Sequence, residues 1–146
     1  MSETQEVQEE KGTAPELVFS YLASTDKAAL FEISSDIRDD IEGLIKLSDR
    51  INDDYKFGLG YSLGEISAYF KILRTLIDIA YIKSDVNHIS ELKNTMLKAI
   101  VKLVEAYFAL TASRPIIEID NILMGVRIDT KDAITAFIEK ISKSTS

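Results

Sequence analysis

His88 is the one histidine of this 146-residue chain, and there is no cysteine. A thiolate zinc site, a disulfide and a cysteine nucleophile are therefore excluded. A metal at His88 would need carboxylates for all its other ligands, because no second histidine and no Glu-x-x-His pair is present. A capping role at a helix start is the expectation for it. The carboxylates Glu32, Asp36, Asp39, Asp40 and Glu42 stand close enough to suggest paired acids. Their helical spacing, opposite an apolar stripe, is instead that of a solvated face, with docking of a basic partner as the other use. Gly58, Gly60 and Gly64 follow Gly-x-Gly-x-x-x-Gly, one residue too long for a dinucleotide fingerprint. No strand precedes them, and no Gly-Lys-Ser/Thr follows for a phosphate loop. Tyr55, Phe57 and Tyr61, beside Lys56, have the chemistry to stack on bases, but packing on a helical body is the simpler use of their area. No nucleophile elbow, triad or kinase signature is visible. The expectation is a protein that is not an enzyme and takes no cofactor, no metal and no small-molecule substrate.

The charge is uneven. Residues 1–70 carry 6 Lys/Arg against 15 Asp/Glu, a net of −9, whereas residues 71–146 carry 11 against 9, a net of +2. The overall −7 removes the long-range basic field that draws most proteins to nucleic acid. Any phosphate contact would come from the second half, or from an assembly in which other subunits supply charge. Lys98 and Lys102 share a helix face in that half, and Arg114, Arg127 and Lys131 surround the C-terminal stretch that begins at residue 113. These five are the candidate nucleic-acid-proximal residues.

The elements that would position them are mostly helical. Residues 1–12, "MSETQEVQEEKG", are too polar for a core and read as a disordered acidic tail. A single mostly helical domain is expected over 13–146. A short helix begins near Pro15, with Leu17, Val18, Tyr21 and Leu22 as its stripe. Thr25 caps a second, with Leu30, Ile33, Ile37, Ile41, Leu44 and Leu47 at three- and four-residue steps to Ile51. Residues 52–61 read as a loop. Ser62 and Glu65 then form a capping box for a helix running to about Lys83. That helix is apolar at Ile66, Tyr69, Phe70, Ile72, Leu73, Leu76, Ile77, Ile79, Ala80, Tyr81 and Ile82. Only Ser67, Lys71, Arg74 and Asp78 break it, so it either lies at the centre or faces a partner as well as its own core. Those same charges make it a buried helix rather than a membrane span. The next helix runs from Val86 or Ser90 to Thr111, with Leu92, Met96, Ala99, Ile100, Leu103, Tyr107 and Phe108 inward.

Residues 113–146 look different. Pro115 stops the preceding helix. Ile117 and Ile119 alternate with Glu118 and Asp120, and Val126 and Ile128 alternate with Arg127 and Asp129. This predicts a β-hairpin turning at Asp120-Asn121 or nearer Met124-Gly125, followed by a helix capped by Thr130 and carrying Ala133, Ile134, Phe137, Ile138 and Ile141. The fold class is thus mainly α: about four helices over 13–112, then a small hairpin and a final helix. An isolated hairpin is marginal in water, and its open edges offer a route to self-association through Ile117, Ile119, Val126 and Ile128. A winged-helix DNA reader would need Arg, Asn or Gln on the helix before the wing, and "VEAYFALTAS" supplies none.

A helical bundle with the long "SLGEISAYFKILRTLIDIAYI" helix, followed by "RPIIEIDNILMGVRIDTKDAITAFIEKI", resembles the small subunit of archaeal type I-A CRISPR interference (Cascade-like) complexes. The resemblance spans roughly residues 15–143 and rests on size, element order and these two segments. It implies a non-catalytic structural subunit in antiviral defence. Such a subunit self-associates beside other interference subunits and supports the guide RNA–target hybrid or the displaced DNA strand, with at most weak contact to RNA or single-stranded DNA. The cytoplasm is the expected compartment, which the lack of cysteine fits. The alternative is a free-standing homo-oligomeric interaction adaptor with no nucleic-acid role.

Overall fold

The structure, a computed structural model, describes residues 27–145. The expected acidic tail, the short helix near Pro15 and the Thr25 cap lie outside the described residues. What is described is mainly helical: α1 (Lys27–Leu47), α2 (Asp53–Ile82), α3 (Val86–Thr111) and α4 (Ile116–Thr145). No strand occurs among the described residues.

The expected C-terminal hairpin is corrected: residues 116–145 are one continuous helix. Ile117 and Ile119 would share a sheet face, as would Val126 and Ile128. Here Ile119 and Val126 are 0% and 2% exposed, whereas Ile117 and Ile128 are 55% and 49% exposed. The stripe that won is Ile119, Leu123, Val126, Thr130, Ile134 and Phe137, all buried at steps of three and four, with Ile141 partly buried beyond. A helix buries that stripe and satisfies its backbone internally, whereas a lone hairpin leaves its edges to find partners. Pro115 does not end the helical part of the chain. It opens α4, its carbonyl accepting from the Glu118 and Ile119 amides at 3.0 and 3.4 Å, where a proline's missing N–H costs nothing.

A second correction concerns residues 52–61. They are no loop, because α2 begins at Asp53. Asn52 caps it through its side chain, which accepts from the Tyr55 amide at 2.9 Å, and Asp53 and Asp54 fill the first turn. Gly58 and Gly60 therefore sit inside a helix, at negative φ and with no atom within 4 Å of where a Cβ would stand. Burial of Leu59 and Leu63 on the same stripe as Ile66 carries the helix through them. Each glycine weakens a helix by about 0.5–1 kcal/mol relative to alanine. Gly58→Ala and Gly60→Ala are each expected to stabilise the protein by that amount, read as a rise in the urea midpoint.

The turns are tight and set the topology. Ser84 and Ser113 both adopt left-handed backbone, with φ of 55° and 56°. Each ends its helix with the same pair of bonds. Ser84 and Asp85 donate to the Tyr81 and Ala80 carbonyls at 3.0 and 2.9 Å, and Ser113 and Arg114 donate to those of Leu110 and Ala109 at 3.1 and 2.9 Å. Successive helices therefore run antiparallel. Helices α2 and α3 each pack on all three others, while α1 and α4 lie on opposite sides with little contact. The core runs along this central pair through Leu63, Ile66, Leu73, Ile77, Leu92, Met96, Ile100 and Leu103. On α1 the buried line is Leu30, Ser34, Ile41 and Ile45, with Ile33, Ile37 and Leu44 partly buried. Leu47 leaves the expected stripe and is exposed, as is Phe108 on α3.

Candidate interaction surface

The five basic candidates do not form one surface. Lys98 and Lys102 line a groove of about 440 Å³ between α3 and α4, whose floor is made by Ala99, Val126 and Ala133. The groove continues past Lys102 into a space of about 380 Å³ beside Ile122 and Gly125. Its rim is mixed in sign, since Asp129 lines both parts and Glu118 the second. Lys102 itself pairs with Glu105 at 3.5 Å. Arg114 is exposed at the start of α4 and grips Glu118 through Nε and Nη2, the shortest contact being 2.9 Å. Lys131 is exposed one turn on from Arg127, on the opposite flank of α4 from the groove, since four residues advance a helix by about one turn.

Arg127 faces inward, towards α2. Its Nη1 donates to Ser62 Oγ at 3.4 Å and stands 3.7 Å from Glu65 Oε1. Glu65 in turn accepts from the Tyr69 hydroxyl. Ser62 is buried, and the other three are partly so. The supposed Ser62–Glu65 capping box is thus a helix-interior polar network that ties α2 to α4. Donation to Glu65, burial and the nearby carboxylate, in that order, hold the Tyr69 phenol above its ordinary value of 10, with Arg127 opposing. A group whose folded pKa is raised contributes stability that is fully present below its unfolded value. That stability is lost as pH rises through the folded one. The loss therefore begins above pH 10. A difference absorbance titration of wild type against Tyr69→Phe is expected to locate this phenol's step above pH 10, with the variant lacking the alkaline stability loss.

His88 lies in the first turn of α3. Its amide donates to Asp85 Oδ1 at 3.1 Å and its Nδ1 is 2.6 Å from Asp85 Oδ2, while its ring meets Phe137 edge-on at 5.0 Å. This is the environment of a cap packed onto α4. On α1 the acidic face is laced internally, with Arg38 reaching Asp39 at 2.6 Å and Glu42 at 3.7 Å, and Lys46 reaching Glu42 at 3.6 Å. No group of three or more His, Asp or Glu among the described residues could hold a metal ion.

Of the self-association candidates, Ile119 and Val126 belong to the core, and only Ile117 and Ile128 reach the surface. The larger apolar surface is on α2. Its core stripe is Leu59, Leu63, Ile66, Phe70, Leu73, Ile77 and Ala80. On the far side a second stripe runs Phe57, Tyr61, Gly64, Ala68, Ile72, Thr75, Ile79 and Ile82, every one exposed. Phe57 is 77% and Ile82 84% exposed. The excess of apolar residues on this helix pointed to a partner face. Treating 52–61 as a loop hid Phe57 and Tyr61 from that face, and extending the helical period backwards from Ile72 would have found them.

No family model, curated protein or solved structure matches this chain. No helix among the described residues is long and apolar enough to cross a membrane.

Proposed function

We propose that this protein is a non-catalytic helical subunit that acts by presenting surfaces to protein partners. The observation that carries the reading is the second apolar stripe of α2. Large aliphatic and aromatic side chains left at helical spacing along an outer face are a contact surface rather than scattered exposure. In its specific form, the proposal is a small subunit of a CRISPR interference complex of the archaeal type I-A kind, in antiviral defence in the cytoplasm. Base pairing there reads the sequence, and protein subunits need only hold shape and backbone. Lys98 and Lys102, on the rim of the α3–α4 groove, are the residues for a weak RNA or single-stranded DNA contact.

A free-standing homo-oligomeric adaptor is the second reading. It is favoured by Arg114 and Arg127, whose guanidinium groups are already engaged by Glu118 and Glu65 rather than open to phosphate. Co-purification from the host separates the two. Guide RNA with a backbone subunit supports the interference complex, and self-associated protein with neither supports the adaptor. A gel shift with single-stranded DNA at two salt concentrations tests the contact directly. The first reading expects a salt-sensitive shift that is lost in Lys98→Glu/Lys102→Glu.

A further inference from the structure

We infer that the outer stripe of α2 is the seam of a homodimer in which two copies of α2 pack antiparallel. The inference rests on reading the protein as an interaction subunit and names the partner as a second copy of this chain. The stripe repeats at 57, 61, 64, 68, 72, 75, 79 and 82, steps of four and three that average close to 3.5. That is the period at which one helix keeps a continuous face against another. The seam is bulky at both ends, and on one side of its centre Gly64 and Ala68 leave room for Thr75 and Ile72 of the facing copy.

Charge decides the partner and the direction. In the first half of this element, Asp53 and Asp54 stand against Lys56, a net of −1, since Glu65 is engaged by Arg127 of its own chain. In the second half, Lys71 and Arg74 stand against Asp78, a net of +1. A parallel pair would set like halves together. An antiparallel pair sets each negative half beside the positive half of its mate and also opposes the two helix dipoles. The arrangement is self-complementary about a two-fold axis between Ala68 and Ile72, which is the form a closed dimer takes. Phe57 then meets Ile82 of the second copy, Tyr61 meets Ile79, and Ala68 meets Ile72.

The geometry makes the test selective, and the absence of native cysteine makes it clean. At about 1.5 Å per residue, the two copies of position 68 lie about 6 Å apart along the axis, and the two copies of position 57 about 38 Å apart. The full chain is expected to sediment as a dimer of twice its 16.3 kDa mass. Ala68→Cys is expected to form an intermolecular disulfide on mild oxidation, and Phe57→Cys is not. Ile72→Asp/Ile79→Asp is expected to run as a monomer with unchanged helical circular dichroism and urea midpoint, because both positions are solvent-facing in one chain. A wild-type monomer overturns the pairing, as does a dimer that survives the two aspartates. Equal cross-linking at 57 and 68 overturns the antiparallel direction. Loss of folding in the double variant also overturns the pairing, because the stripe would then be covered within one chain. A wild-type monomer that still co-purifies with partners overturns the dimer alone and leaves the interaction-subunit reading standing.

Discussion

Asn121→Pro is expected to destabilise this protein by about 3 kcal/mol or more, the cost of proline inside a helix. Position 121 is exposed on α4, four residues or more from either end of that helix. A proline there removes one backbone donor and drives its ring into the carbonyl one turn back. An Asp120-Asn121 hairpin turn would also resist proline, because its central positions need a positive φ that proline cannot adopt. The substitution that separates a helix from a hairpin over residues 113–140 is the companion one, Gly125→Ala, where a Cβ meets nothing within 4 Å. A helix gains about 0.5–1 kcal/mol from it, whereas a turn relying on that glycine would lose. Urea unfolding of both variants, followed by circular dichroism, reads the outcome. A tolerated proline together with a destabilising alanine would sink the helical account.

Leu103→Ala is expected to cost about 3–5 kcal/mol, at the upper end for leucine truncations in cores. Leu103 is fully buried on α3 and reaches the space where α1 and α2 meet, beside Phe31, Ser34, Ile66 and Phe70. A gap of about 250 Å³ already lies there. Helices α2 and α3 are each held by three neighbours, so they cannot move in to fill the lost volume without opening another contact. Against a total stability of about 5–15 kcal/mol for a domain of ordinary size, this one change removes a large share. The check is the unfolding free energy by urea at equal slope. A loss under about 1.5 kcal/mol would mean that the centre is not packed as described.

Much of the bundle was legible because it depends on local signals. The end of α3 at Thr111 was readable from a periodic stripe and a proline beyond, while its start was left between Val86 and Ser90 and falls at Val86. The acidic outer face of α1 and the inward line of Leu92, Met96, Ile100 and Leu103 followed from period alone. The misreadings share one cause. Ile117/Ile119 and Val126/Ile128 alternate over four residues each, a window too short to tell a strand from one side of a helix. Only the longer run from Ile119 to Ile141 carries the 3.6 period. Ser62 and Glu65 match a capping box in sequence, but their partners are Arg127 and Tyr69, sixty-five residues away in one case. No local rule could see that pairing. Asn52, the true cap, was passed over because the glycines at 58 and 60 read as breakers, although burial of Leu59 and Leu63 outweighs about 1 kcal/mol for each.

Sequence by itself determined that this is a mainly helical chain, because the apolar period is written residue by residue and each helix closes its own hydrogen bonds. It also determined the lack of thiol chemistry and the uneven charge, which are matters of composition. Tertiary structure alone decided which isoleucines are core and which are surface, because burial depends on what stands opposite. It turned Arg127 towards α2, where Glu65 stands 3.7 Å away. It moved the candidate contact surface from a hairpin edge to the outer face of α2, where a helix with two apolar stripes can bury only one of them against its own chain.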